Sequence, residues 1–242
     1  MKRQRRPAAR QDSHQNRLLA QFPTDVYRRL ASELEPVTLH MGQVLCEVGD
    51  RMKYVYFPNK NAMLSLLVTS GDASAVEVGV TGWEGFAGFP PLLGADASPH
   101  QVIVQIPGAA VRIAASGMQR FVRDHPEVRG LLLRYVQAML VQISQTALCN
   151  RVHSVEERLA RWVLVNQDRT DQHQLPLTHE FLARMLGVNR STVSLTAATL
   201  QRAGVVRYTR AKFTILDRDR LEDVACDCYR TVKEQYKRLG VF

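Results

Sequence analysis

Between residues 37 and 115 the apolar positions fall in short runs separated by turn residues. The runs cover 37–39, 44–48, 54–57, 62–69, 76–80, 102–106 and 110–113. Met41-Gly42, Gly49-Asp50, Pro58-Asn59, Ser70-Gly71-Asp72 and Pro107-Gly108 punctuate them. Many short strands at this spacing predict an antiparallel sandwich or barrel. Ahead of them Val26, Leu30 and Leu34 form an i, i+4, i+8 stripe that stops before Pro36, a short amphipathic helix. Behind them Leu133, Val136, Leu140, Ile143 and Ala147 recur at alternating spacings of three and four, the seam of a coiled coil. Leu132, Tyr135 and Met139 lie on an adjacent face, so one side of this helix can pack on the barrel while the other pairs with a second subunit. A lone core helix in a monomer is the competing reading. Residues 155–164 continue as another helix with Leu159, Trp162 and Val163 as its apolar positions. Polar 166–174 reads as a loop and Leu175-Pro176-Leu177 as a short strand.

Thr178 is placed to cap a helix whose first turn carries Glu180 and whose apolar face is Phe181, Leu182, Met185 and Leu186, before Gly187 breaks it. Asn189 then caps a second helix with a buried stripe at Val193, Ala197 and Leu200. The opposite face presents Arg190, Ser191, Ser194 and Leu195 in the first two turns, where a helix entering a DNA major groove approaches the base edges. Arg190 can fork onto a guanine; Ser191, Thr192 and Ser194 suit phosphates or either base type; Leu195 can meet a thymine methyl. Two alternating segments, 205–208 and 213–216, flank Thr209-Arg210-Ala211-Lys212, so a hairpin with Arg210 and Lys212 at its tip forms a basic wing. Helix, turn, helix and wing together predict a double-stranded DNA partner; two packed helices and a solvated hairpin are the bland alternative.

Charge sharpens this division. The formal net charge of +9 resolves into +5 for residues 1–17, −2 for 18–125, +2 for 126–153 and +4 for 154–242. A polyanion would therefore be met by the two ends of the chain and not by its middle. Lys2, Arg3, Arg5, Arg6 and Arg10 make a basic N-terminal arm, expected to be flexible, that either adds phosphate contacts or serves as a soluble tail. No apolar run reaches the length of a membrane span, and no apolar core follows the basic start as in a secretion signal, so the expectation is a cytoplasmic protein. Cys46, Cys149, Cys226 and Cys228 are too few and scattered for a disulfide framework, which fits a reducing compartment. No CxxC or Cys/His quartet with zinc spacing occurs. Read on a helix, Cys226 and Cys228 project about 200° apart and do not share a ligand, so no metal is expected and the thiols are taken as small buried hydrophobes.

The segment 182–194, Leu-Ala-Arg-Met-Leu-Gly-Val-Asn-Arg-Ser-Thr-Val-Ser, resembles the helix-turn-helix of the Crp/Fnr family of bacterial regulators. The stretch Leu45-Cys46-Glu47-Val48-Gly49-Asp50 with Tyr56-Phe57-Pro58 is similar to that family's cyclic-nucleotide-binding-type fold. The resemblance spans about residues 18–230. It implies an α+β protein: a jelly-roll-like antiparallel β-barrel over 18–125, a dimerisation helix over 126–153 and a winged helix-turn-helix over 154–242. It also implies a homodimer reading a palindromic site with helix 190–200, RNA polymerase as a further partner, and no enzymatic activity. In the family's cyclic-AMP receptors an Arg-Ser pair holds the cyclic phosphate. Here the corresponding residues are Ser98-Pro99, and no arginine lies between Lys60 and Arg112 to substitute. An unpaired buried phosphate costs several kcal/mol, which argues against cyclic AMP. The turn Gly82-Trp83-Glu84-Gly85-Phe86-Ala87-Gly88 lies where the family's glycine-glutamate pocket turn falls. Its amides offer an anion cradle and Glu84 an acceptor; a tight connection with packed aromatics explains the same residues.

The absence of cysteine before residue 46 excludes the family's iron-sulphur route. Haem through His40, Cys46, His100 or His125 stays open as a non-standard sensor, as does another nucleotide. A cupin-like metalloenzyme is the rival from another class, and its barrel holds too few histidines.

Overall fold

The structure, a computed structural model, describes residues 16–70, 75–209 and 212–241. The basic residues at positions 2–10 and Arg210 of the wing lie outside them. Asn16 and Arg17, assigned above to the arm, are built into the barrel instead. The Asn16 amide, buried, donates to the Pro58 and Gly85 carbonyls at 2.8 and 2.9 Å, and its oxygen accepts from the Leu18 and Leu19 amides. The arm's end is tied down because an asparagine with four hydrogen bonds has no reason to return to water.

After helix α1 (Thr24–Ala31), which buries Val26 and Leu30, come seven strands: β1 (Glu35–Leu39), β2 (Val44–Cys46), β3 (Tyr54–Pro58), β4 (Met63–Thr69), β5 (Ala75–Thr81), β6 (Gln101–Ile106) and β7 (Gly108–Ala114). They pair antiparallel as two sheets, β1-β7-β3 and β2-β6-β4-β5, rather than as one closed barrel. The run of β4, apolar from Met63 to Val68 except for Ser65, reflects burial of residues 63–67 on both faces. Leu64 and Leu66 face the interior of the roll; Met63 and Leu67, with Val80, Ile103 and Ile106, belong to a second core shared with the C-terminal domain.

Helix α2 (Ala115–Asp124) leads into α3 (Pro126–Val152), which starts with proline at its first position and Glu127 in the first turn. Leu132, Tyr135 and Met139 of α3 are buried on the roll, whereas Leu140, Leu148 and Val152 are about half exposed. The break after α3 is enforced by a capping box: the Ser154 hydroxyl accepts from the Glu157 amide, and the Glu157 carboxylate accepts from the Ser154 amide at 2.7 Å. Helix α4 then runs Val155–Thr170, through residues expected to form a loop. The helix extends because these polar residues are buried with partners: Asn166 and Arg169 bond to the roll, Thr170 back along the helix, and Gln167 to His173 and Arg218 of its own domain.

The C-terminal domain continues with β8 (Gln174–Pro176), α5 (His179–Leu186), α6 (Arg190–Arg202), β9 (Val206–Thr209), β10 (Lys212–Ile215), α7 (Arg218–Val224) and α8 (Cys228–Arg238), with a three-stranded sheet in the order β8-β10-β9. Helix α8 crosses the boundary drawn from sequence. Its Val232 and Tyr236 join the core of the roll, Tyr236 edge-on to Tyr135 at 6.1 Å.

Candidate nucleic-acid interface and the Glu84 turn

The helix-turn-helix is assembled by local rules. Thr178 caps α5, its hydroxyl accepting from the Phe181 amide at 3.1 Å. Gly187 ends α5 at φ 62°, a left-handed conformation that favours glycine. Asn189 occupies the N-cap of α6 in extended geometry without a side-chain capping bond. Val193, Ala197 and Leu200 are buried, and Arg190, Ser191 and Leu195 are exposed, Leu195 by 72%. Thr192 and Ser194 are half-buried. Lys212 begins β10 exposed, opposite Thr209. Thus one surface collects the N-terminal turns of α6, the cap of α5 and the wing.

A residue that periodicity did not reveal ties these pieces together. His179, the first residue of α5, stacks on Tyr208 of β9 with ring centroids 4.0 Å apart, and its Nδ1 lies 2.8 Å from the Ser194 hydroxyl. Ser194 also donates to the Arg190 carbonyl at 3.0 Å, so its hydroxyl is engaged within the domain. Burial, and next the Arg190 charge, hold the His179 imidazole below its ordinary pKa and therefore neutral.

The Glu84 turn is not an open pocket. Glu84 is fully buried, accepts from the Gly82 amide at 3.0 Å, and pairs at 2.9 Å with Arg169 of α4. Arg169 further donates to the Val80 carbonyl and to Gln142 of α3. A Cβ on Gly85 would overlap the Tyr135 ring, and Phe86 packs between Phe57 and Tyr135. Trp83 carries Arg17 over its ring at 3.9 Å and donates to the Asp168 carbonyl. Ser98, counted with this pocket from sequence, instead donates to the His100 carbonyl in a loop whose backbone pairs with Gly49 and Asp50. The cation missing between Lys60 and Arg112 is supplied from the other domain.

Beside this turn lies a second buried polar chain. Glu77 of β5 accepts from Trp162 Nε1 at 2.7 Å and is 2.8 Å from the Ser65 hydroxyl. Ser65 meets Gln105, and Gln105 meets Asn166. Burial pushes the Glu77 carboxyl up to about 7, opposed by its hydrogen bonds from Ser65 and Trp162 and by the charges of Arg161 and Arg169. Among the described residues His40, Cys46, His100 and His125 form no common cluster. The structure does gather Cys149, His153, Cys226 and Cys228, whose ligand atoms all lie within 4.8 Å of one another. The expectation that Cys226 and Cys228 cannot share a ligand assumed one helix; Cys226 precedes α8 in a turn, and only Cys228 is helical.

These features define a winged helix-turn-helix domain mounted on a two-sheet β-roll. Residues 157–224 match the model of the Crp-like helix-turn-helix domain, and over about 80% of the chain the fold is that of solved Crp/Fnr regulators. It is similar to the c-di-GMP responsive global regulator CLP of Xanthomonas campestris, at 15% identity and a TM-score of 0.66, over 80% of this chain and 99% of that one. A CRP/FNR-family transcriptional regulator of Thermus thermophilus is similar at 20% identity and a TM-score of 0.65, over 79% and 98%. FixK2 of Bradyrhizobium japonicum is similar at 14% and 0.64, over 80% and 98%. No curated protein matches the chain at a significant level. Among the described residues no helix is long and apolar enough to cross a membrane.

Proposed function

We propose that the chain is a dimeric, sequence-specific transcription regulator that reads a two-fold-symmetric DNA site with α6 in the major groove. The observation carrying this reading is the exposed face of α6, Arg190, Ser191 and Leu195, displayed beside the wing in a Crp-like helix-turn-helix. Arg190 reads a guanine edge, Leu195 a thymine methyl, and Thr178, Asn189, Thr192, Arg210 and Lys212 hold the backbone. Ser194 acts chiefly by orienting the first turn of α6. The half-exposed Leu140, Leu148 and Val152 of α3 support pairing with the α3 of a second copy, and RNA polymerase is the further partner expected of such a dimer. The Glu84 turn serves as an internal socket for Arg169 instead of a cyclic-AMP site.

The test is footprinting at rising salt. Arg190→Ala should weaken binding by about 1–3 kcal/mol at a subset of base positions, while Lys212→Ala weakens it evenly across sequences. A footprint unchanged by Arg190→Ala, or binding insensitive to salt, overturns the assignment.

A further inference from the structure

The end of α3, the start of α4 and the α7–α8 turn meet at a cluster that DNA reading does not use. Cys149 lies in the last turn of α3 and His153 just beyond it; Cys226 sits in the turn after α7, and Cys228 opens α8. The three thiols are buried and not joined by disulfides, and His153 is half-buried.

Two edges of the cluster are close to those of a coordination tetrahedron, and all four ligand atoms lie within 4.8 Å of one another. Cys149 Sγ and Cys226 Sγ are 3.5 Å apart, and so are Cys228 Sγ and His153 Nδ1. A tetrahedral zinc with Zn–S near 2.3 Å and Zn–N near 2.05 Å has S···S edges of about 3.8 Å and S···N edges of about 3.6 Å. A disulfide would need the sulphurs to close to about 2.0 Å. The surroundings are cationic and incompletely satisfied. Arg158 and Arg161 of α4 are each more than nine-tenths buried, both lie within electrostatic reach of Cys149 and Cys226, and the Nε of each has no hydrogen-bond partner. Gln145 points its amide nitrogen at Cys228 Sγ, 3.2 Å away. Buried arginines without full partners beside three thiols call for negative charge there. Three thiolates on a divalent cation leave one net negative charge for them to meet, and an amide N–H to a ligand sulphur is a common outer contact.

We propose that Cys149, His153, Cys226 and Cys228 form a closed, four-coordinate site for one zinc ion, with three thiolates and one neutral imidazole. Binding displaces the three thiol protons to solvent. All four positions come from protein, so the site is structural: it clips the α7–α8 turn to the end of α3. Arg158 spans from this cluster to the Leu186 carbonyl at the end of α5, which links the metal to the helix-turn-helix. The proposal does not depend on the DNA-reading assignment.

The test uses the full chain without an affinity tag. Purified without chelator, it should carry one zinc per chain through gel filtration. After zinc removal under reducing conditions, Co(II) should give d–d bands of tetrahedral intensity and a thiolate-to-cobalt charge-transfer band. Cys226→Ser should weaken zinc binding at least about tenfold, whereas Cys46→Ser, in the roll, should leave stoichiometry and spectrum unchanged. If Cys226→Ser loses its far-ultraviolet circular dichroism, His153→Gln and the wild-type cobalt spectrum decide. A chain with four titratable thiols and no cobalt spectrum overturns the proposal. So does a native mass two hydrogens lighter with Cys149 linked to Cys226.

Discussion

Replacing Glu77 by glutamine should make stability nearly independent of pH where the wild type loses it. The reason is a proton count along the buried chain. Trp162 Nε1 donates to one Glu77 oxygen; the other oxygen and the Gln105 oxygen both face the single hydroxyl proton of Ser65. With Glu77 protonated, its O–H donates to Ser65, Ser65 donates to Gln105, and every group is satisfied. With Glu77 ionised, one acceptor goes short. The folded carboxyl, raised from 4.5 to about 7, therefore holds a proton that the unfolded chain has released. Stability is full below pH 4.5, falls as pH rises through the window, and above 7 is lower by roughly 3 kcal/mol. Glutamine supplies the same donor and acceptor without the charge. Urea unfolding at pH 5 and pH 8.5 should show Glu77→Gln within about 1 kcal/mol of wild type at the lower pH and roughly 3 kcal/mol more stable at the higher. Parallel pH dependences for the two proteins would refute the proton count, as would a variant less stable at both values.

Other consequences are equally direct. Arg169→Met leaves Glu84 buried and unpaired and should cost about 3–5 kcal/mol in denaturant unfolding, with Glu84→Gln in the same background recovering part of it. Leu140→Glu on the exposed face of α3 should shift sedimentation from dimer towards monomer while circular dichroism stays unchanged. Calorimetric titration with cyclic AMP should give no heat, and a strong response would show that Arg169 does not block the Glu84 turn.

What the sequence showed and what it hid divide along a physical line. The strands, the long helix α3 and the two helices of the helix-turn-helix were legible because caps, glycines and apolar periodicity act over a few residues, as at Thr178, Gly187 and the Val193-Ala197-Leu200 stripe; of the seam expected on α3, Val136 and Ile143 pack on the roll and Leu140 stays exposed. The end of α4 was hidden because its polar residues are buried through partners far along the chain. Trp162 meets Glu77 across 85 positions, and Arg169 reaches back to Val80 across 89. The thiol cluster was hidden for the same reason, Cys149 and Cys226 being 77 residues apart. The Glu84 turn was located correctly as a turn, yet its occupant is a side chain of the protein itself.

That occupant bears on how such a regulator could be switched. Swinging α4 away from the roll would break the Glu84–Arg169 pair together with the Trp162–Glu77 and Asn166–Gln105 bonds, so the swung arrangement would be rare. The two reading helices of a dimer would then stand at a spacing preset by the roll. To reposition them, an effector would have to favour the rare arrangement by several kcal/mol, so cellular control would fall more naturally on how many copies are made than on what shape each one takes.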